Sequence, residues 1–231
     1  MDYISFFKEI YEGGIECVVS GGVALTLHGV PRLTYDLDLI VDFGGESAGR
    51  LAALLPGHGY RTRDGLEPRD LARAAARRRW RGEGRKALKF VGAEADLSEI
   101  DIALETTAPF ADLKARALTV TVHGTPVTVL GLDDIVALKK AMGRDEDAAD
   151  LKSIALLGKV AGTTEELEDR AAEQMRKFHF WPVDQRVEWL LTGSQLRRQT
   201  APDSSGGKGL RGGRRGLKKK KIPGLRHTDL S

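Results

Sequence analysis

Apolar residues Ile4, Phe7, Ile10 and Tyr11 recur at helical spacing and predict an opening helix over residues 2–12, ended by Gly13-Gly14. A short apolar strand follows from Ile15 to Val19. Gly21-Gly22 turns it into a helix that runs through Leu27 and stops at Gly29. Pro31 keeps the next segment extended, ahead of a strand from about Tyr35 to Val41. Gly44-Gly45 closes that strand, and residues 46–55 read as another helix.

The alternation continues. Tyr60 to Arg63 reads as a strand, and Pro68 opens an Ala/Arg-rich helix ending near Trp80. Lys86 to Val91 and Glu99 to Leu104 read as strands. Ala117 to Val122 and Thr125 to Leu130 form a hairpin across His123-Gly124. Beyond Leu132 the period becomes helical over 132–142, 147–157, 163–178 and 184–198. The pattern predicts an α+β fold, a mixed sheet flanked by helices over 1–130, then a helical domain over 131–201. Residues 202–231 hold seven glycines and two prolines, build no core, and are expected to be a disordered basic tail.

Charge sharpens that division. The net charge of +3 arises because residues 203–231 carry nine Lys/Arg against Asp203 and Asp229, which leaves residues 1–202 at −4. A basic isoelectric point therefore says nothing about the folded body. The tail, with Lys218 to Lys221, Arg214 and Arg215, would bind polyanions in a salt-dependent way or simply aid solubility. No apolar run approaches the roughly 18 residues that span a bilayer, and no signal-peptide pattern opens the chain. With Cys17 the only cysteine, neither an internal disulfide nor a multi-cysteine zinc site can form. The expectation is a cytoplasmic protein with no membrane partner.

Candidate chemistry is concentrated in Ser20-Gly21-Gly22, thirteen further residues, and then Asp36-Leu37-Asp38-Leu39. Alternate residues of a strand share a face, so Asp36 and Asp38 project together, about 7 Å apart by strand rise. Two such carboxylates need solvent or a cation between them. Mg²⁺ favours oxygen ligands and keeps positions open for phosphate oxygens. In a two-metal site, shared carboxylates can hold ions roughly 3.5–4 Å apart. The Gly-Gly turn adds backbone N–H groups at the positive end of a helix, where a polyphosphate can sit. Each half alone is commonplace: Gly-Gly often marks a plain tight turn, and Asp-x-Asp a solvated strand edge.

Together these motifs resemble the signature of the polymerase-β-type nucleotidyltransferase superfamily, a Gly-Gly or Gly-Ser pair followed by an Asp pair on a strand. Within it, the chain is most similar to small bacterial nucleotidyltransferases of abortive-infection and toxin–antitoxin type. Gly21-Gly22-Val23-Ala24, Gly29, Arg32-Leu33-Thr34 and Asp36-Leu37-Asp38 carry the likeness, as do Leu132 to Lys139 and Gly143-Arg144 with Asp147 and Asp150. Ser20 departs from the apolar residue usual before the glycines, and Glu146 from a basic one.

The resemblance implies transfer of a nucleoside monophosphate from an NTP to an acceptor hydroxyl on tRNA or protein, with a cognate antitoxin as partner. It implies Mg²⁺ or Mn²⁺ held by Asp36, Asp38 and a third carboxylate on a later strand. Asp101 fits that place, with Glu99 as the alternative. Ser20, Gly21, Gly22, Arg32 and Thr34 would form the nucleotide site with Lys139 and Arg144, Lys139 contacting phosphate. An antibiotic-modifying enzyme and an inactive nucleotide- or RNA-binding module are the competing readings.

Other clusters are less specific. Arg73, Arg77, Arg78, Arg79, Arg81 and Arg85 surround Trp80 and suit either an RNA grip, with Trp80 as a stacking face, or a solvated helix face. The five histidines show no metal-ligand spacing, and His28 reads as a helix-capping residue. Phe178, Phe180, Trp181 and Trp189 read as core contacts.

Overall fold

A computed structural model describes residues 2–92, 99–160 and 170–200. The expected tail over 202–231 and the first part of the helix expected over 163–178 lie outside the described residues. Among those described, no helix is long and apolar enough to cross a membrane.

The centre is a mixed seven-stranded sheet. Helix α1 (Tyr3–Glu12), whose first turn is capped by the Asp2 carboxylate on the Ser5 amide at 2.8 Å, leads into β1 (Cys17–Ser20). Helix α2 (Gly21–His28) follows, then β2 (Asp36–Val41), α3 (Ser47–Gly57) and β3 (Tyr60–Thr62). Further on come α4 (Ala74–Gly82), β4 (Ala87–Gly92), β5 (Glu99–Ala103), α5 (Phe110–Ala115), β6 (Leu118–Val122) and β7 (Thr125–Val129). The strands lie in the order β3-β4-β5-β2-β1-β7-β6, with β2 parallel to β5 and antiparallel to β1. Helices α6 (Leu132–Met142), α7 (Asp145–Val160), α8 (Arg170–His179) and α9 (Val183–Thr200) complete the described residues.

Strand alternation sorts the sheet's central faces. Leu37, Leu39, Leu88, Phe90, Ile100 and Ile102 are buried on one side. Asp36, Asp38, Lys89, Glu99 and Asp101 take the other. The hairpin forms where expected, with His123 and Gly124 both at positive φ, as a two-residue turn of this kind requires.

The structure departs from the expected pattern in three places. The helix from Pro68 to Trp80 is two pieces, a 3-10 helix over Pro68–Ala72 and then α4, with extended backbone at Arg73. Leu71 and Trp80 are both fully buried. Nine residues apart on one continuous helix they would point in opposite directions, and the break turns both inward. Helix α5 went unforeseen because six residues give too short a window for periodicity. Phe180 is 65% exposed, whereas Phe178 and Trp189 pack edge to face with centroids 4.9 Å apart.

The C-terminal helices reach back to the sheet. Arg186 of α9 is buried and donates to the Leu27 carbonyl at 2.7 Å, holding the carbonyl end of α2. His28 does not cap its own helix; its Nε2 bonds the Leu130 carbonyl at 2.7 Å, where β7 ends.

Leu37 lies between the two aspartates and is completely buried. Leu37→Ala should lower unfolding free energy by about 2–5 kcal/mol in chemical denaturation, with the slope against denaturant unchanged.

Candidate active site

The site begins at the turn between β1 and α2. Ser20 is extended and buried, makes no side-chain capping bond to α2, and stands opposite Asp38 in the β1–β2 ladder. Gly21 adopts φ +62°, and a Cβ there would come within 1.8 Å of Asp38 Oδ2. The Asp38 carboxylate therefore rests directly on the backbone that opens α2, which only glycine permits. A Cβ on Gly22 would lie 2.8 Å from Thr34 Cβ. The Thr34 hydroxyl donates to Asp36 Oδ1, so the second glycine admits the residue that orients the first aspartate.

Strand register assembles the acids. Asp36 is opposite Glu99 and Asp38 is opposite Asp101 in the parallel β2–β5 pair. Neighbouring strands are about 4.8 Å apart, so four carboxylates share one patch of the sheet face. Both acids named from sequence as the third carboxylate are present, and Asp101 is the one beside Asp38. The electrostatic signature is strong. Burial, reinforced by the charges of Asp36 and Asp101, pushes the Asp38 carboxyl up to about 7. Burial also raises Asp101, against the pull of its hydrogen bond to Lys89.

Lys89, absent from the sequence-based candidates, stands opposite Asp101 on β4 and donates to its Oδ2 at 2.5 Å. Burial alone would lower the Lys89 pKa, but the bond and charge of Asp101, with Glu99, raise it overall. Arg63 donates to Glu99 in the same way. A lysine on the polar face of an alternating strand carries no sequence signal of its own. Only the register reveals it.

A second cluster faces these acids from the helices. Lys139 of α6 is 6% exposed and gives its ammonium to Asp147 at 3.1 Å and Asp150 at 2.6 Å, both on α7. In this structure that group is turned to the two acids, yet it is near enough to lower Asp38. Arg144 grips Asp147 with Nε at 2.8 Å and Nη2 at 3.1 Å, and this hydrogen bonding holds Asp147 down at about 2. Arg32, ahead of β2, reaches Asp150 at 2.9 Å and Glu146 at 3.8 Å. The acids Asp147 and Asp150 of α7 thus bind basic residues. Asp36, Asp38 and Asp101 are the ones that crowd one another.

Among the described residues no group of three or more His, Cys, Asp or Glu is drawn together tightly enough to hold a metal as it stands. The donor set nevertheless suits a hard cation. It offers adjacent carboxylates and an acid whose charge is opposed by its neighbours. Each carboxylate instead turns to its local partner: Asp36 to Thr34, Asp38 to the Gly21 turn, Asp101 to Lys89.

The arginine-rich helix offers no stacking face, because Trp80 is completely buried. Arg77 is buried with it, 4.3 Å over the Phe43 ring. A separate cavity of about 420 Å³, lined by Leu27, His28, Leu132, Val136 and Arg186 among others, lies at the opposite end of α2. None of the four strand acids lines it.

Residues 9–141 match a protein family described as the nucleotidyl transferase AbiEii toxin of a type IV toxin–antitoxin system. Comparison with curated proteins found no match. Among solved structures, similar chains include a Thermotoga maritima protein described as a nucleotidyltransferase. It is 20% identical, with TM-score 0.41, over 66% of this chain and 93% of its own. Others are ANT(2'')-Ia in complex with adenylyl-2''-tobramycin (14% identical, TM-score 0.37, 84% and 98% covered) and an antigenic nucleotidyltransferase-like protein of Paracoccidioides brasiliensis (14%, 0.41, 85% and 87%).

Asp38 and Asp147 give opposite pH signatures. Asp38 is harder to ionise in the fold than in the unfolded chain. The wild type in EDTA should therefore lose stability relative to Asp38→Asn as pH rises from about 4 through about 7. Asp147 is easier to ionise, so its contribution is present above about 4 and fades as pH falls toward about 2. The stability gap between wild type and Asp147→Asn should close over that lower range. Thermal melts of the three proteins across pH would check both signs.

Proposed function

We infer the function from one premise: this chain belongs to the family of the nucleotidyl transferase AbiEii toxin of type IV toxin–antitoxin systems. It is accordingly a nucleotidyltransferase. We propose that it is metal-dependent, that it moves a nucleoside monophosphate from an NTP to a hydroxyl of cellular tRNA or protein, and that it works in the cytoplasm as the toxin of a pair with an antitoxin. What favours a cellular acceptor over an antibiotic is the toxin designation of the family, since a toxin acts on a constituent of its own cell.

The observation that carries the site assignment is the register of β2 against β5, with Asp38 beside Asp101 at the mouth of the Gly21 turn. The triphosphate is proposed to seat on the uncapped amides that open α2, where the helix dipole favours negative charge. Asp36, Asp38 and Asp101 would hold Mg²⁺ or Mn²⁺, which offsets phosphate charge. The acceptor oxygen attacks the α-phosphorus and the bond to the bridging oxygen breaks. Pyrophosphate leaves with that oxygen, and the acceptor's proton passes to solvent. Arg144, half exposed and paired with Asp147 and Glu146, would offset charge on the departing phosphates. Lys139 and Arg32 orient this wall through Asp147 and Asp150, and the helical domain over 131–201 presents the acceptor.

Incubation with each labelled NTP, Mg²⁺ and a cell extract should transfer label to RNA or protein. Asp36→Asn or Asp38→Asn should reduce transfer at least about 100-fold, the scale of removing a charge-stabilising group. Full transfer by Asp38→Asn would remove the site assignment. Label found only on an added aminoglycoside would overturn the acceptor class.

A further inference from the structure

Resting on that reading of the acid patch, we propose that Lys89 is a positioning residue, a built-in counter-ion that holds Asp101 and that an entering divalent cation displaces toward Glu99. The geometry has three parts. Lys89 and Asp101 are directly opposed on β4 and β5, with Nζ 2.5 Å from Oδ2. Asp101 Oδ1 is enclosed and has no partner. The Asp101 side chain keeps 11% of its exposure, none of it on Oδ1, so the oxygen offered to the cleft is the one that Lys89 holds.

A divalent cation on that oxygen would sit about 2.0–2.1 Å from it. An ammonium at 2.5 Å on the same atom would place two positive centres in near contact. The lysine has somewhere to go. Its side chain is 42% exposed, and Glu99 Oε2 is already 3.8 Å from Nζ. Glu99 also accepts from Arg63, which fixes the second acid where a displaced ammonium can reach it. Asp101, 8% exposed, has no such latitude. In the proposed exchange the strand acids stay in place and the long, flexible cation moves, so the carboxylate is ordered before the metal arrives.

The test is Mn²⁺ binding to the full chain, by paramagnetic resonance or calorimetry, with melting midpoints in EDTA and in saturating Mn²⁺. Lys89→Met should bind Mn²⁺ about two- to fivefold more tightly, the scale of a partly exposed charge pair. Lys89→Arg, which keeps the charge, should stay near wild type. In EDTA the Lys89→Met midpoint should fall, and Mn²⁺ should restore it to the wild-type value. A lysine with a purely structural role would give a deficit that Mn²⁺ leaves in place. Equal or weaker Mn²⁺ binding by Lys89→Met overturns the displacement. Asp38→Asn separates this from the reading beneath it: if that variant binds Mn²⁺ as the wild type does, the acid patch itself is misassigned.

Discussion

Repulsion between Asp38 and Asp101 is the constraint around which the rest is arranged. Parallel pairing of β2 and β5 sets these residues side by side, with Asp36 and Glu99 one step further along. Two unit charges about 5 Å apart near a protein surface repel by about 3 kcal/mol. A half-exposed ion pair returns about 1 kcal/mol or less. One lysine therefore leaves the patch in deficit, and the Asp38 carboxyl is raised by its burial first and then by the charges of Asp36 and Asp101. A fold retaining this conflict on a sheet face is poised for a cationic ligand. The stability it forgoes elsewhere comes from the apolar face directly behind, where Leu37, Leu39, Ile100 and Ile102 are sealed.

Much of this was legible in the chain because it depends on short-range periodicity. Asp36 and Asp38 share a face by the two-residue repeat of a strand, and Gly21-Gly22 marks a turn by its backbone freedom. The family resemblance implies a third carboxylate on a later strand, which Asp101 fits with Glu99 as the alternative, and the pairing puts Asp101 beside Asp38. Lys89 and Arg63 were illegible because their meaning lies in cross-strand register, which no local pattern encodes. Trp80 misled for a related reason: a tryptophan among arginines suggests an exposed aromatic, yet the break at Arg73 swings it into the core. The Lys139–Asp147–Asp150 cluster combined both cases. Its residues could be named, but their mutual contacts needed the fold.

The helical half supplies a different kind of order. Lys139, Arg144 and Arg32 each meet acids from α7, and together they fasten α6 and α7 to the segment just ahead of β2. Buried pairs of this sort return little net stability but are expensive to leave half made. Their value here is positional, since they fix one wall of a cleft whose other wall is the strand acids.

Arg186 shows what that arrangement means for the molecule's limits. Similarity to the family ends at residue 141, but the helix that opens with Gly21 has its far end fastened by a side chain 45 positions later. The matched segment is thus braced by residues that lie beyond it. A shortened chain cut at that border would strip the α7 acids from Lys139 and leave the Leu27 carbonyl without its donor. Sequence kinship ends before the contacts that brace the shared segment do.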